Sequence, residues 1–72
     1  MMSDEDLIAY CDRHAETPRA LFHASQIRRM FELAGQEPPR EVVHNPNGFW
    51  SMHHDMKELV AQARARALVE RR

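Results

Sequence analysis

The chain is short of nearly everything that staples or arms a small protein. It has one cysteine in 72 residues, Cys11, so no disulfide can form within it. A lone thiol fits a reducing compartment better than a secreted one, and the sequence reads as cytoplasmic. It has two glycines, Gly35 and Gly48, which leaves no glycine-rich phosphate loop and no nucleophile elbow. No apolar run approaches the roughly 18 residues of a membrane span, which argues against a membrane partner. The opening "MMSDED" places acids where a signal peptide carries bases. Only five residues are aromatic, and two of them stand side by side as Phe49-Trp50.

What is present fits one domain over residues 1–72. A chain of this size gains only about 3–5 kcal/mol from its core, too little to carry a strained, buried active site. The formal net charge of −1 is unevenly spread. Asp4, Glu5, Asp6, Asp12 and Glu16 stand against Arg13 near the start, while Lys57, Arg64, Arg66, Arg71 and Arg72 stand against Glu58 and Glu70 near the end. Acid first and base last is the pattern of helix-dipole matching, and it also offers two poles for steering onto a partner.

Apolar spacing gives the elements. Ser3 with Asp4, Glu5 and Asp6 reads as an N-cap and an acidic first turn. Leu7, Ile8, Cys11 and Ala15 then form one helical stripe. Thr17-Pro18 reads as a second helix start, with Leu21, Phe22, Ile27, Met30, Phe31 and Ala34 as its apolar positions and Ser25 as a further cap. Gly35 and Pro38-Pro39 end it. In "HNPNGFWSMHHDM", Asn45-Pro46-Asn47-Gly48 has the form of a type I turn, with Gly48 free to turn left-handed. Val42-Val43-His44 before it and Phe49-Trp50-Ser51 after it predict a hairpin that pairs Val43 with Trp50 and His44 with Phe49. Ser51 then caps a last helix, whose stripe is Met52, Met56, Leu59, Val60, Ala63 and Ala67. The expected fold is mainly α with a small β-hairpin: helix, helix, hairpin, helix, in a compact single domain.

The chemistry is sparse. Cys11-x-x-His14 is a single metal-type pair, and there is no His-x-x-x-His. His53 and His54, adjacent on a helix, should diverge by about 100°. No metal and no cofactor are expected. Cys11 sits on an apolar stripe, where a thiol is inert, and Asp55, Lys57 and Glu58 form an ordinary solvated face. No catalytic set is present, so the chain is not expected to be an enzyme.

Residues 27–59, "IRRMFELAGQEPPREVVHNPNGFWSMHHDMKEL", resemble winged-helix proteins of the MerR and excisionase type. The resemblance rests on Gly35, Pro38, Pro39, Asn47-Gly48-Phe49 and Asp55-Met56-x-x-Leu59, and covers about half the chain. It implies DNA binding through Arg28, Arg29 and Arg40, fewer bases than that family carries on its recognition helix and wing.

The leading expectation is therefore a small regulator or inhibitor that binds a larger protein machine, with Phe49, Trp50, Lys57, Arg64 and Arg66 as partner-binding residues. Trp50 is expected to be mainly structural and Phe49 to be the exposed anchor, because neighbours on a strand face opposite ways. The winged-helix resemblance would make transcription machinery, such as RNA polymerase, a natural target. Size and class suggest a phage or mobile-element origin. Winged-helix DNA binding is the alternative.

Overall fold

In the computed structural model, which describes residues 2–70, Ser3 caps helix α1 (Asp4–His14), its hydroxyl accepting the Asp6 N–H at 3.2 Å. The three acids of the first turn and Arg13 and His14 of the last complement the helix dipole. Leu7, Ile8, Cys11 and Ala15 are all buried, as their spacing requires.

Thr17-Pro18 forms a turn, not a helix start. The Thr17 N–H donates to His14 O at 3.0 Å, and the Ala20 N–H donates to Thr17 O at 3.0 Å. The chain then extends as β1 (Phe22–His23) and enters α2 (Ala24–Leu33) with His23, not Thr17 or Ser25, as the cap. His23 Nδ1 accepts the Ser25 N–H at 3.1 Å, and Gln26 Oε1 accepts the His23 N–H at 3.0 Å. Two orphan donors at the helix start are thereby satisfied reciprocally. At the other end Gly35 adopts φ 75°. The Gln36 N–H reaches Phe31 O and the Gly35 N–H reaches Glu32 O, a Schellman close of the kind glycine allows.

The expected first hairpin strand is instead a short helix, α3 (Arg40–His44). Pro39 presets the entry at φ −58°, and the Val42 and Val43 N–H groups both bond to Pro39 O. Asn45 Nδ2 closes the far end on Glu41 O at 2.7 Å. This turn buries Val42 in the core, and that burial outweighs the few tenths of a kcal/mol by which valine prefers a strand. A turn does form at Asn45–Gly48, with the Gly48 N–H donating to Asn45 O at 2.9 Å, but it joins a helix to β2.

The partner of β2 (Phe49–Trp50) is therefore β1. The two are antiparallel, with Phe22 opposite Trp50 and His23 opposite Phe49, and the bond from the Ala24 N–H to Gly48 O prolongs the ladder. Ser51, expected to cap the last helix, donates its hydroxyl to Pro18 O at 2.9 Å and ties β2 to the turn before β1. Helix α4 (His53–Glu70) follows, its first backbone bond running from the Met56 N–H to Met52 O. Met56, Leu59, Val60 and Ala63 are buried and Met52 and Ala67 half-buried, so α4 is the lid over α1 and α2.

Phe22 is the largest fully buried side chain, joined by Ile27, Met30, Met56 and Cys11 in one apolar cluster. Gly48 has a role unlike the expected one. Its φ is not positive, and a Cβ there would stand 2.5 Å from the Trp50 ring. It is a gap that lets the indole lie flat on the chain. Phe22→Ala is expected to cost about 3–5 kcal/mol, enough to unfold the domain. Gly48→Ala should cost about 1–3 kcal/mol by displacing the indole. Urea denaturation followed by circular dichroism and Trp50 fluorescence measures both, and an unchanged emission maximum in Gly48→Ala would contradict the second.

Candidate protein-docking face

A two-stranded sheet has two faces, and side chains alternate between them. Phe22 and Trp50 turn inward together, Phe22 fully buried and Trp50 half-buried against the core. The indole Nε1–H donates to Glu41 Oε1 at 3.3 Å, fixing the ring between β2 and α3. His23 and Phe49 turn outward. Phe49 is 60% exposed, and its ring meets that of His23 edge to face, with centroids 5.0 Å apart and planes at 77°. Leu21, just before β1, is 56% exposed. Phe49 and Trp50 thus face opposite ways, as their adjacency predicts, with Phe49 the more exposed. The sequence placed Leu21 on a helix stripe and gave His23 no role, although the run Leu-Phe-His after a proline turn has the same strand character as Val-Val-His.

The basic residues proposed for a partner do not join this face as a set. Arg64 Nη1 pairs with Asp12 of α1 at 3.1 Å. Arg66 Nη1 donates to Glu32 O at the end of α2 at 3.2 Å, and its Nη2 pairs with Glu70 at 3.3 Å. Its guanidinium lies against Gly35, where a Cβ would meet it. Lys57 is exposed and makes no ion pair among the described residues. Arg71 and Arg72 of the basic pole lie outside the described residues. Of the alternative set, Arg29 grips Asp4 through two parallel bonds, Nε to Oδ1 at 3.0 Å and Nη2 to Oδ2 at 2.7 Å, and also holds Glu32 at 2.9 Å. Arg28 and Arg40 are exposed, without ion pairs among the described residues.

The remaining titratable groups form no reactive centre. Burial pushes the Cys11 thiol up to about 12. The His14 ring stacks on Tyr10, with centroids 3.9 Å apart, and its Nδ1 lies 2.9 Å from Tyr10 O. His53 and His54 do not diverge as expected; their rings meet at 4.1 Å, tilted by 39°. Among the described residues no three His, Cys, Asp or Glu side chains converge as metal ligands. A second apolar feature is a groove of about 300 Å³ between α1 and α4, lined by Ile8, Ala67 and Leu68 with Glu5 and Arg64 at its edge. No protein-family profile, curated protein or solved structure matches the chain.

Two measurements test this account. The Arg29 hydrogen bonds hold the Asp4 carboxyl below its usual value, so the pair stabilises the fold above the ordinary aspartate value of about 3.9. That contribution is lost as pH falls through the depressed value. Asp4→Asn should lower stability slightly at pH 7 and leave it unchanged in strong acid, with the difference shrinking in high salt because the pair is exposed. Urea midpoints at both pH values check it. Cys11 should react with a disulfide reagent at least about a hundredfold more slowly in the folded than in the unfolded chain; comparable rates would place it outside the core.

Proposed function

We propose that this domain is a small non-enzymatic regulator that docks on a larger protein through the outer face of its sheet. The observation that carries the reading is Phe49, an exposed aromatic on a strand whose other face is fixed by Phe22 and Trp50. An anchor already held in one conformation loses little freedom on binding, and exposed aromatics dominate binding energy at interfaces. Leu21 widens the apolar surface and His23 braces the ring. The non-enzymatic part of the reading is supported by the inert surroundings of Cys11 and by histidines that contact aromatic or histidine rings and not acids. Transcription machinery remains a candidate target only through the winged-helix resemblance.

Phe49→Ala should leave circular dichroism and the melting temperature nearly unchanged while weakening partner binding by about 1–2 kcal/mol or more. The check is a pull-down from nuclease-treated lysate of the source organism, with the exposed Glu37→Ala as a control. A stoichiometric protein retained by the control and lost with Phe49→Ala supports the reading; a protein retained equally by Phe49→Ala contradicts it.

The second reading, winged-helix DNA binding, is favoured by one observation: α2 and α3 pack together across a turn closed by Gly35, in the order of a helix-turn-helix. Its electrostatics are thin, because Arg29 is occupied by Asp4 and Glu32 and leaves Arg28 and Arg40. Binding to duplex DNA is expected to be no tighter than about 10⁻⁴ M at physiological salt. A gel shift showing submicromolar, sequence-selective binding would reverse the order of the two readings.

A further inference from the structure

Acids are absent from the two segments that build the sheet and its flanks. Residues 17–31 contain Arg19, Arg28, Arg29 and His23 with no Asp or Glu, and residues 42–54 contain three histidines with none. The acids that flank β2 in sequence are Glu41, bonded to the Trp50 indole, and Asp55, exposed on the first turn of α4. Four further acids are engaged elsewhere, Asp4 and Glu32 on Arg29, Asp12 on Arg64 and Glu70 on Arg66, while Glu16, three residues before Arg19, is exposed and joins none of these pairs. Arg19, two residues before Leu21, and Arg28, on the exposed side of α2, keep their charge uncompensated by any ion pair among the described residues. The first turn of α2 carries no acid either, so the positive end of its dipole adds to the same sign.

His23 adds a directed donor. Because its Nδ1 accepts the Ser25 N–H, the proton of the neutral ring is assigned to Nε2. That Nε2–H has no acceptor among the described residues, and the ring stands beside that of Phe49.

From this combination we infer that the docking face recognises an acidic protein segment: an apolar side chain seated on Phe49 and Leu21, with carboxylates set toward the His23 Nε2–H, Arg19 and Arg28. The inference rests on the docking reading above and names the chemistry of its partner. A basic segment is rejected by the same charges, since complementary potentials select partners as much as they attract them. A polynucleotide fits less well, because two unpaired arginines release few counterions and the chain as a whole is net negative.

The test is selection of a random-peptide phage library on the full chain, followed by fluorescence polarisation of the selected peptides and amide chemical-shift mapping. Selected peptides should be rich in Asp and Glu around a Phe, Trp or Leu, and should shift the resonances of Leu21, His23 and Phe49. Their affinity should fall roughly tenfold with Phe49→Ala and again roughly tenfold with the exposed pair Arg19→Glu and Arg28→Glu, each tenfold step being about 1.4 kcal/mol. Circular dichroism of each variant confirms that it is folded. Neutral or basic peptides that bind at Phe49 would overturn the acidic preference and leave the docking face standing. Acidic peptides indifferent to Phe49→Ala would overturn the docking face itself. No enrichment over an unrelated bait would overturn the inference, as would a single-stranded oligonucleotide that binds the same residues as tightly as the peptides.

Discussion

The architecture depends on the pairing of Phe22 with Trp50. These two residues lie far apart in the chain, and bringing them together closes a loop that contains α2, α3 and the Asn45–Gly48 turn. Loop closure grows only logarithmically with length, so the longer loop adds little to the cost relative to a local hairpin. Against that cost stands complete burial of Phe22, about 1.5–3 kcal/mol of transfer free energy, together with the indole packed over it. The sheet is short, and its ladder bonds alone would not hold it. It persists because its inner face is the roof of the core.

The sheet also divides the chain's few aromatics by role. One side of it is fixed in the core by Phe22 and Trp50, and the opposite side presents Phe49 beside the His23 ring. Rigidity on one face and exposure on the other are produced by the same two-residue alternation. His23 links the two levels, since it caps α2 through Nδ1, pairs with Phe49 in the ladder and braces the exposed ring. A surface ordered in this way can bind without first being ordered by its partner.

The two charge poles of the sequence have a different fate from the one their separation suggests. Helices α1 and α4 make the largest contact in the molecule, and Asp12 meets Arg64 across it. Asp4 meets Arg29 of α2 in the same way. Part of the asymmetry is therefore compensated within the fold, and among the described residues the arginines without ion pairs are Arg13, Arg19, Arg28 and Arg40. Arg66, read in sequence as a partner-binding base, bonds the Glu32 carbonyl near the end of α2.

Features whose energies are local could be read directly from neighbouring residues. The Ser3 cap, the stop at Gly35, the turn before Gly48 and the buried stripes of α1 and α4 follow from spacing, proline and glycine chemistry, each decided within a few residues. The mainly helical class with a small antiparallel sheet was legible for the same reason, as was the opposition of Phe49 and Trp50. Only the tertiary structure decided which strand β2 joins. Val43-His44 and Phe22-His23 are both an apolar residue followed by histidine, and local propensity favours the pair nearer the turn. Burial reversed that choice, because Phe22 removes more apolar surface from water than Val43 would, while Pro39 and Asn45 make a helical turn the easier course for residues 40–44. The proposed docking face inherits this decision: His23 stands beside Phe49 only because of it.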